Sequence, residues 1–277
     1  MTLDKFASMP MDLVGDKKPT SASTAYSYRY ICTPLEGGTN YNPNMPANFQ
    51  LNCGGNILQS ELTFLQLTII PTGINAPVVG NTVTLDGVAS MIDNIKIYHN
   101  GVQIDELLNY ADIYNNYLQW SQSQSQFSTK WDLLNLVTPP EDDYFNALTN
   151  TSPENFIQTS NGVTAVTSRT VYIPLIGGIF GLPYLDTRMM RGQLTITINW
   201  RTPALTFVSN IAIANLSYQI SGLRLFTQYL ELDASQYGLL QKLRENGIPK
   251  YYSYSWSRNP ISLQANQSSL NAIISSC

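Results

Sequence analysis

Five residues, GGIFG at 177–181, stand directly behind the apolar run VYIPLI. Glycines after a strand can cradle a phosphate when they open a helix whose free N–H groups face the anion. That chemistry needs a helix and, in its commonest form, a following GK[ST]. Here Pro183 interrupts the chain, and QLTITINW at 193–200 has the alternation of a strand. Gly177 and Gly178 therefore read as the end or kink of a strand where the chain turns a corner. The single histidine, His99, sits beside Asn100-Gly101 with no nucleophile elbow nearby and reads as a solvent-facing turn residue. Cys32, Cys53 and Cys277 are odd in number and lack CxxC spacing. They suit neither a disulfide framework nor a zinc site, and reduced thiols in an intracellular setting are the simplest reading. Glu141, Asp142 and Asp143 could offer oxygens to calcium. An acidic first turn after Pro140, complementing a helix dipole, is the stronger reading. No catalytic residue, cofactor site or metal site is expected.

Aromatic side chains are the remaining chemistry. Tyr251, Tyr252, Tyr254 and Trp256 cluster in KYYSYSWS, and Tyr110, Tyr114, Tyr117 and Trp120 recur in YADIYNNYLQW. Such rings could stack on bases or sugars, but cations are scarce near them. Core packing and subunit contact are favoured, because tyrosine and tryptophan are enriched at buried interfaces. These eight residues form the candidate subunit interface.

Charge supports that choice. Only 12 % of the 277 residues are charged and the net charge is −4. Phosphate neutralisation needs clustered Lys and Arg, so no direct sequence-specific nucleic-acid binding is expected. A polar but weakly charged surface is often one that neighbouring subunits cover. No run approaches the ~18 apolar residues of a membrane span, and no apolar signal region opens the chain, so no membrane insertion is expected. The sequons at Asn150, Asn215 and Asn266 are what chance gives an Asn/Ser/Thr-rich chain.

The elements that must position these residues are mostly strands. Residues 1–25 lack any period and read as a flexible arm. Strand-like runs follow in YSYRYICTPL, NFQLNC and ELTFLQLTIIP, and Asn100-Gly101 between IKIYH and VQI is a hairpin signal. DELLNYADIYNNYLQW changes to helical spacing, and residues 131–168 form a long excursion. In LTITINW, Leu194, Ile196 and Ile198 alternate with Thr195, Thr197 and Asn199, which predicts one buried and one wet face. Asp233 and Gln236 start a capping box that Gly247 and Pro249 end, so a helix is expected over 233–248. The sum is an all-β, antiparallel, eight-stranded jelly-roll sandwich over 26–232 with helical insertions at about 101–168. The linker helix and the start of a second sheet unit at 249–277 follow. That unit is either a partial second jelly roll or a segment that pairs with a partner.

The order of these blocks resembles the jelly-roll major capsid proteins of the hexon-like, double jelly-roll viral lineage. The similarity lies in VYIPLIGGIFG, then Leu182-Pro183 and MRGQLTITINW; in GVASMIDNIKIYHNGVQIDELLNYADIY; and in LELDASQYGLLQKLRENGIPKYYSYSW. Most of residues 60–260 take part. The resemblance implies a structural coat protein and no enzyme. Its partners would be itself, as a homotrimer, and other capsid proteins in an icosahedral virion shell assembled inside the host cell. One departure stands out: the lineage has two complete barrels, and the 45 residues after Leu232 are too few for a second. A jelly-roll carbohydrate-binding, lectin-like module is the alternative.

Overall fold

The computed structural model describes residues 26–35, 38, 40–51, 56–75, 77, 80–121, 155–160, 162–187, 192–210, 212–232, 236–238 and 242. Its strands are β1 (Tyr26–Cys32), β2 (Asn40–Tyr41), β3 (Ala47–Leu51), β4 (Ile57–Thr72), β5 (Val83–Leu85), β6 (Ile92–His99) and β7 (Val102–Leu107). Helix α1 (Tyr110–Ser121) comes next, then β8 (Ile157–Ser160), β9 (Val163–Val166) and β10 (Arg169–Pro174). A 3-10 turn (Gly178–Gly181), β11 (Leu185–Asp186), β12 (Leu194–Trp200), α2 (Pro203–Thr206), β13 (Phe207–Ser209) and β14 (Ser217–Glu231) complete the order.

Two antiparallel sheets face each other. One runs β1-β14-β4-β10, with β2 added to β14 and β11 to β4; the other runs β3-β12-β6-β7. Except at the β6–β7 hairpin, successive long strands change sheet: β1, β4, β10 and β14 lie in the first, and β3, β6, β7 and β12 in the second. This interleaving is the jelly-roll path, and the chain is an all-β antiparallel sandwich of that type. Each crossing puts a strand's apolar alternation against the opposite sheet. Leu65, Leu67, Ile69, Val171, Ile173, Ile220 and Leu225 thus meet Phe49, Ile95, Ile97, Leu194, Ile196 and Ile198 in one buried core. Each such side chain contributes about 1.5–3 kcal/mol of transfer free energy.

The expected hairpin forms at Asn100 (φ 51°) and Gly101 (φ 79°), joining β6 to β7. Strand β7 belongs to the sheet, so the segment expected to leave the sandwich near residue 101 departs only after Leu107. For the same reason α1 begins at Tyr110 rather than in the preceding DELL. Gln236, Tyr237, Gly238 and Lys242 are helical, within the span expected for the linker.

Candidate functional site

The glycine loop is a hinge between the two sheets. Among the described residues β10 pairs with β4 alone, an edge position where the missing N–H of Pro174 breaks no ladder. The chain then passes Gly177 (φ 77°) and Gly178 (φ 54°), makes one 3-10 turn, and reaches β12 in the other sheet. The φ of Gly178 favours glycine, and a Cβ there would also displace the end of the Asp105 side chain. Four residues of 3-10 turn followed by extended chain offer no helix N-terminus to an anion.

Tyr110 locks this hinge. Its hydroxyl donates to the Pro174 carbonyl at 3.3 Å and accepts the Ile176 N–H at 3.0 Å. Burial raises the Tyr110 hydroxyl pKa well above its ordinary value, the neighbouring Tyr114 adds to the rise, and the Ile176 hydrogen bond opposes it. Burial also raises the pKa of Tyr114, whose ring centroid lies 5.8 Å from that of Tyr110. Both rings are fully buried inside their own chain. They therefore offer no surface to a second subunit, which corrects the interface reading for Tyr110 and Tyr114: helical spacing cannot say which partner covers an apolar face. The side chains of Tyr117 and Trp120, and all of Tyr251, Tyr252, Tyr254 and Trp256, lie outside the described residues, as do Glu141, Asp142 and Asp143.

At one end of the sandwich the connections between strands are welded together. Strands β5 and β13 form a two-stranded ribbon. Asn155, buried, accepts the N–H groups of Val83 (2.9 Å) and Ile157 (3.0 Å) and donates to the Asn81 carbonyl at 3.1 Å. Phe156, Phe207 and Tyr218 stack edge to face beneath it. Arg201 pairs with Asp112 of α1 at 3.1 Å, and the Tyr218 hydroxyl donates to the Arg201 carbonyl. These contacts tie the first turns of α1 and the chain at Asn155 to the same end of the sandwich. Sequence reasoning missed Asn155 because a lone polar residue in TSPENF carries no periodic signal.

His99 differs from its expected place in solvent. It pairs with Leu194 on the core-facing side of β12, so its ring sits half-buried at the sandwich rim with Nε2 sealed from water. Cys32 is also buried. Among the described residues no three His, Cys, Asp or Glu side chains come together as a metal site. An open groove of about 700 Å³ lies between the edge strands β1 and β3, lined by Tyr30, Leu35, Gln50 and Gln193. It holds one exposed aromatic ring rather than a stacking platform.

The outer faces of the two sheets differ. On the four-stranded sheet, Thr197 donates to Asn48 (2.6 Å), Asn199 to Asn94 (2.5 Å), and Lys96 pairs with Glu106 (3.3 Å). These polar pairs span β3, β12, β6 and β7, while Val102 and Ile104 of β7 are exposed apolar residues. On the six-stranded sheet, Ile31, Phe226, Phe64 and Pro174 stand opposite one another in a single cross-strand row. Phe64 and Phe226 stack at 4.7 Å, and Arg29 lies 5.6 Å over the Phe64 ring. Tyr172 and Leu62 flank the row, both over 40 % exposed.

No known family profile and no curated protein matches the sequence. Solved structures do. The crystal structure of VP54 of PBCV-1, fitted into a cryo-EM reconstruction of the virophage Sputnik, matches with a TM-score of 0.51 at 12 % identity, covering 81 % of this chain and 46 % of that one. The PBCV-1 virus capsid, a quasi-atomic model, gives 0.49 and 12 % over 81 % and 46 %. The Faustovirus major capsid protein gives 0.48 and 11 % over 87 % and 60 %. The chain spans about half the length of the first structures it matches. The fold is the jelly-roll fold of viral capsid proteins.

Proposed function

We propose that this chain is a structural subunit of a viral capsid that self-assembles, as trimeric capsomers, into an icosahedral shell. The observation that carries this reading is the interleaved strand order of the two sheets, supported by a structural match to VP54 of PBCV-1 that covers 81 % of the chain. The sandwich acts as a rigid wedge, residues 26–232. Its welded end carries the excursion between Ser121 and Asn155 toward neighbouring subunits or the outside. Residues 1–25 serve as an arm that orders on a neighbouring capsomer, which costs entropy but spans distance. Residues 233–248 link the wedge to 249–277, which complete a sheet with a partner or begin a second barrel. Work is done by assembly rather than turnover, in the virion and with other capsid proteins. Several interfaces of ordinary size, roughly 1,600 Å² each, repeated by symmetry make such a shell cooperative.

Light scattering behind size-exclusion chromatography, followed by negative-stain imaging of the full chain, tests this. Trimers that build larger particles are the expected result. A chain that stays monomeric at every concentration and ionic strength overturns the proposal.

A further inference from the structure

In an asparagine followed by glycine the main chain can attack its own side chain, because glycine has no Cβ to shield its nitrogen. At Asn100-Gly101 the Gly101 nitrogen, giving its proton to solvent, adds to Cγ of Asn100; ammonia leaves and a five-membered succinimide closes. Water then opens the ring at either carbonyl. One product is aspartate. The other is isoaspartate, in which the main chain runs through the former side chain and is longer by a methylene. Amide and water become carboxylate and ammonium, so no oxidant, reductant or cofactor takes part.

The fold holds this reaction back. Asn100 and Gly101 take φ 51° and 79°, the left-handed pair that a tight two-residue hairpin needs. The ladder between β6 and β12 ends at His99 and Leu194, and Asn100 extends it by a step: its N–H donates to the Gln193 carbonyl at 2.9 Å. Its side-chain Oδ1 in turn accepts the Gln193 N–H at 2.9 Å. The carboxamide packs on Gly192, where a Cβ would overlap it. Asn100 is nonetheless exposed, so water reaches the site. Ring closure requires the side chain to leave Gln193 and swing onto the Gly101 nitrogen, and the turn must open for that.

We propose that Asn100-Gly101 is a self-modification site, a succinimide-forming pair held shut by the backbone of Gly192 and Gln193 and released when the β6–β7 hairpin opens from β12. The reacting groups are the chain's own and the co-reactant is water. Isoaspartate does not fit the two-residue turn, so a chain that opens and reacts is marked irreversibly. The mark falls where β7 is put in register with β6, the register that pairs Glu106 with Lys96 at 3.3 Å. An aspartate product keeps an acceptor for Gln193 and adds a negative charge. None of this depends on the chain's role in a shell.

Peptide mapping by mass spectrometry on the full chain, held at mildly alkaline pH, reads the reaction, and isoaspartyl methyltransferase labelling identifies the longer product. Asn161-Gly162 and Asn246-Gly247, the other two Asn-Gly pairs of the sequence, calibrate it in urea, where all three should react alike. Folding is expected to slow Asn100 by at least about tenfold, the effect of holding a side chain in one hydrogen bond and a fixed turn. Gln193→Pro removes the N–H that Asn100 accepts, and Gly192→Ala displaces the carboxamide. Each is expected to restore about tenfold of the rate in a chain whose circular dichroism shows the sheets still formed. Where a variant does not fold, the parent's ratio of folded to urea rates decides. A folded parent in which Asn100 reacts as fast as in urea, or a folded Gly192→Ala chain no faster than the parent, overturns the gate. An Asn100 that keeps its amide in urea while the other two pairs react overturns the site.

Discussion

Tyr110→Phe isolates the lock on the hinge. The substitution keeps the buried ring and removes only the hydroxyl that accepts the Ile176 N–H at 3.0 Å and donates to the Pro174 carbonyl at 3.3 Å. Leaving a donor unpartnered in a sealed site costs about 1–3 kcal/mol, and ~2 kcal/mol is the central expectation. For a domain of about 200 residues, each kcal/mol lowers Tm by about 2–4 °C, so a fall of ~4–8 °C is expected. Differential scanning calorimetry on dilute protein reads it. Tyr172→Phe is the control, because that ring is 41 % exposed on the outer face of the sheet, and no change is expected there. The loss in Tyr110→Phe should be local as well as global, with faster amide exchange at Ile176. A Tm within 1 °C of the parent, or the same fall in the control, would refute the claim that this hydroxyl fixes the β10-to-β12 crossing.

Further outcomes concern the glycines, the platform and alkaline pH. Gly73→Ala puts a Cβ into the backbone carbonyl of Asn215 at φ 82° and should cost several-fold more stability than Gly101→Ala, where the φ of 79° is strained but the space is open; paired urea melts compare them. Asn155→Ala removes three hydrogen bonds and should cost about 3 kcal/mol while making the segment before Asn155 the first site of limited proteolysis. Burial raises the pKa of Tyr110 and Tyr114, and also that of Tyr218, where the Thr206 hydrogen bond opposes the rise and Asp93 adds to it. Above pH ~10 the native state then holds protons that the unfolded chain releases, so stability is complete below pH 10 and declines above it. Each tyrosine adds a slope of at most about 1.4 kcal/mol per pH unit, and Tyr218→Phe should remove one such share from a pH series of melts.

What the sequence made legible was whatever one strand or one turn decides alone. Leu194, Ile196 and Ile198 announce the buried face of β12 without help, and Asn100-Gly101 declares its hairpin because both residues accept positive φ. The hinge at Gly177 and Gly178 could be told from a phosphate cradle by Pro183 and the strand alternation of LTITINW beyond it. Partners were a different matter. Tyr110 and Tyr114 announce an apolar helix face but not whether the chain or its neighbour covers it, and the structure shows the chain does. In ELTFLQLTIIP both faces of β4 carry large apolar residues, so alternation could not say that Leu65, Leu67 and Ile69 point inward while Leu62 and Phe64 point out. Only register with β14 and β10 resolves that.

The same register joins fold to assembly. This jelly roll closes its core by sending most successive long strands to opposite sheets, so those connections cross an end of the sandwich, while the β6–β7 hairpin stays within one sheet. At the welded end those crossings are tied to one another by Asn155, the β5–β13 ribbon and the Arg201–Asp112 pair rather than to the sheets alone. At the glycine loop the Tyr110 hydroxyl holds the end of β10, bonding Pro174 and Ile176 where the chain turns toward β12. A sandwich braced in this way suits the structural role proposed for the chain, which needs fixed surfaces rather than moving ones.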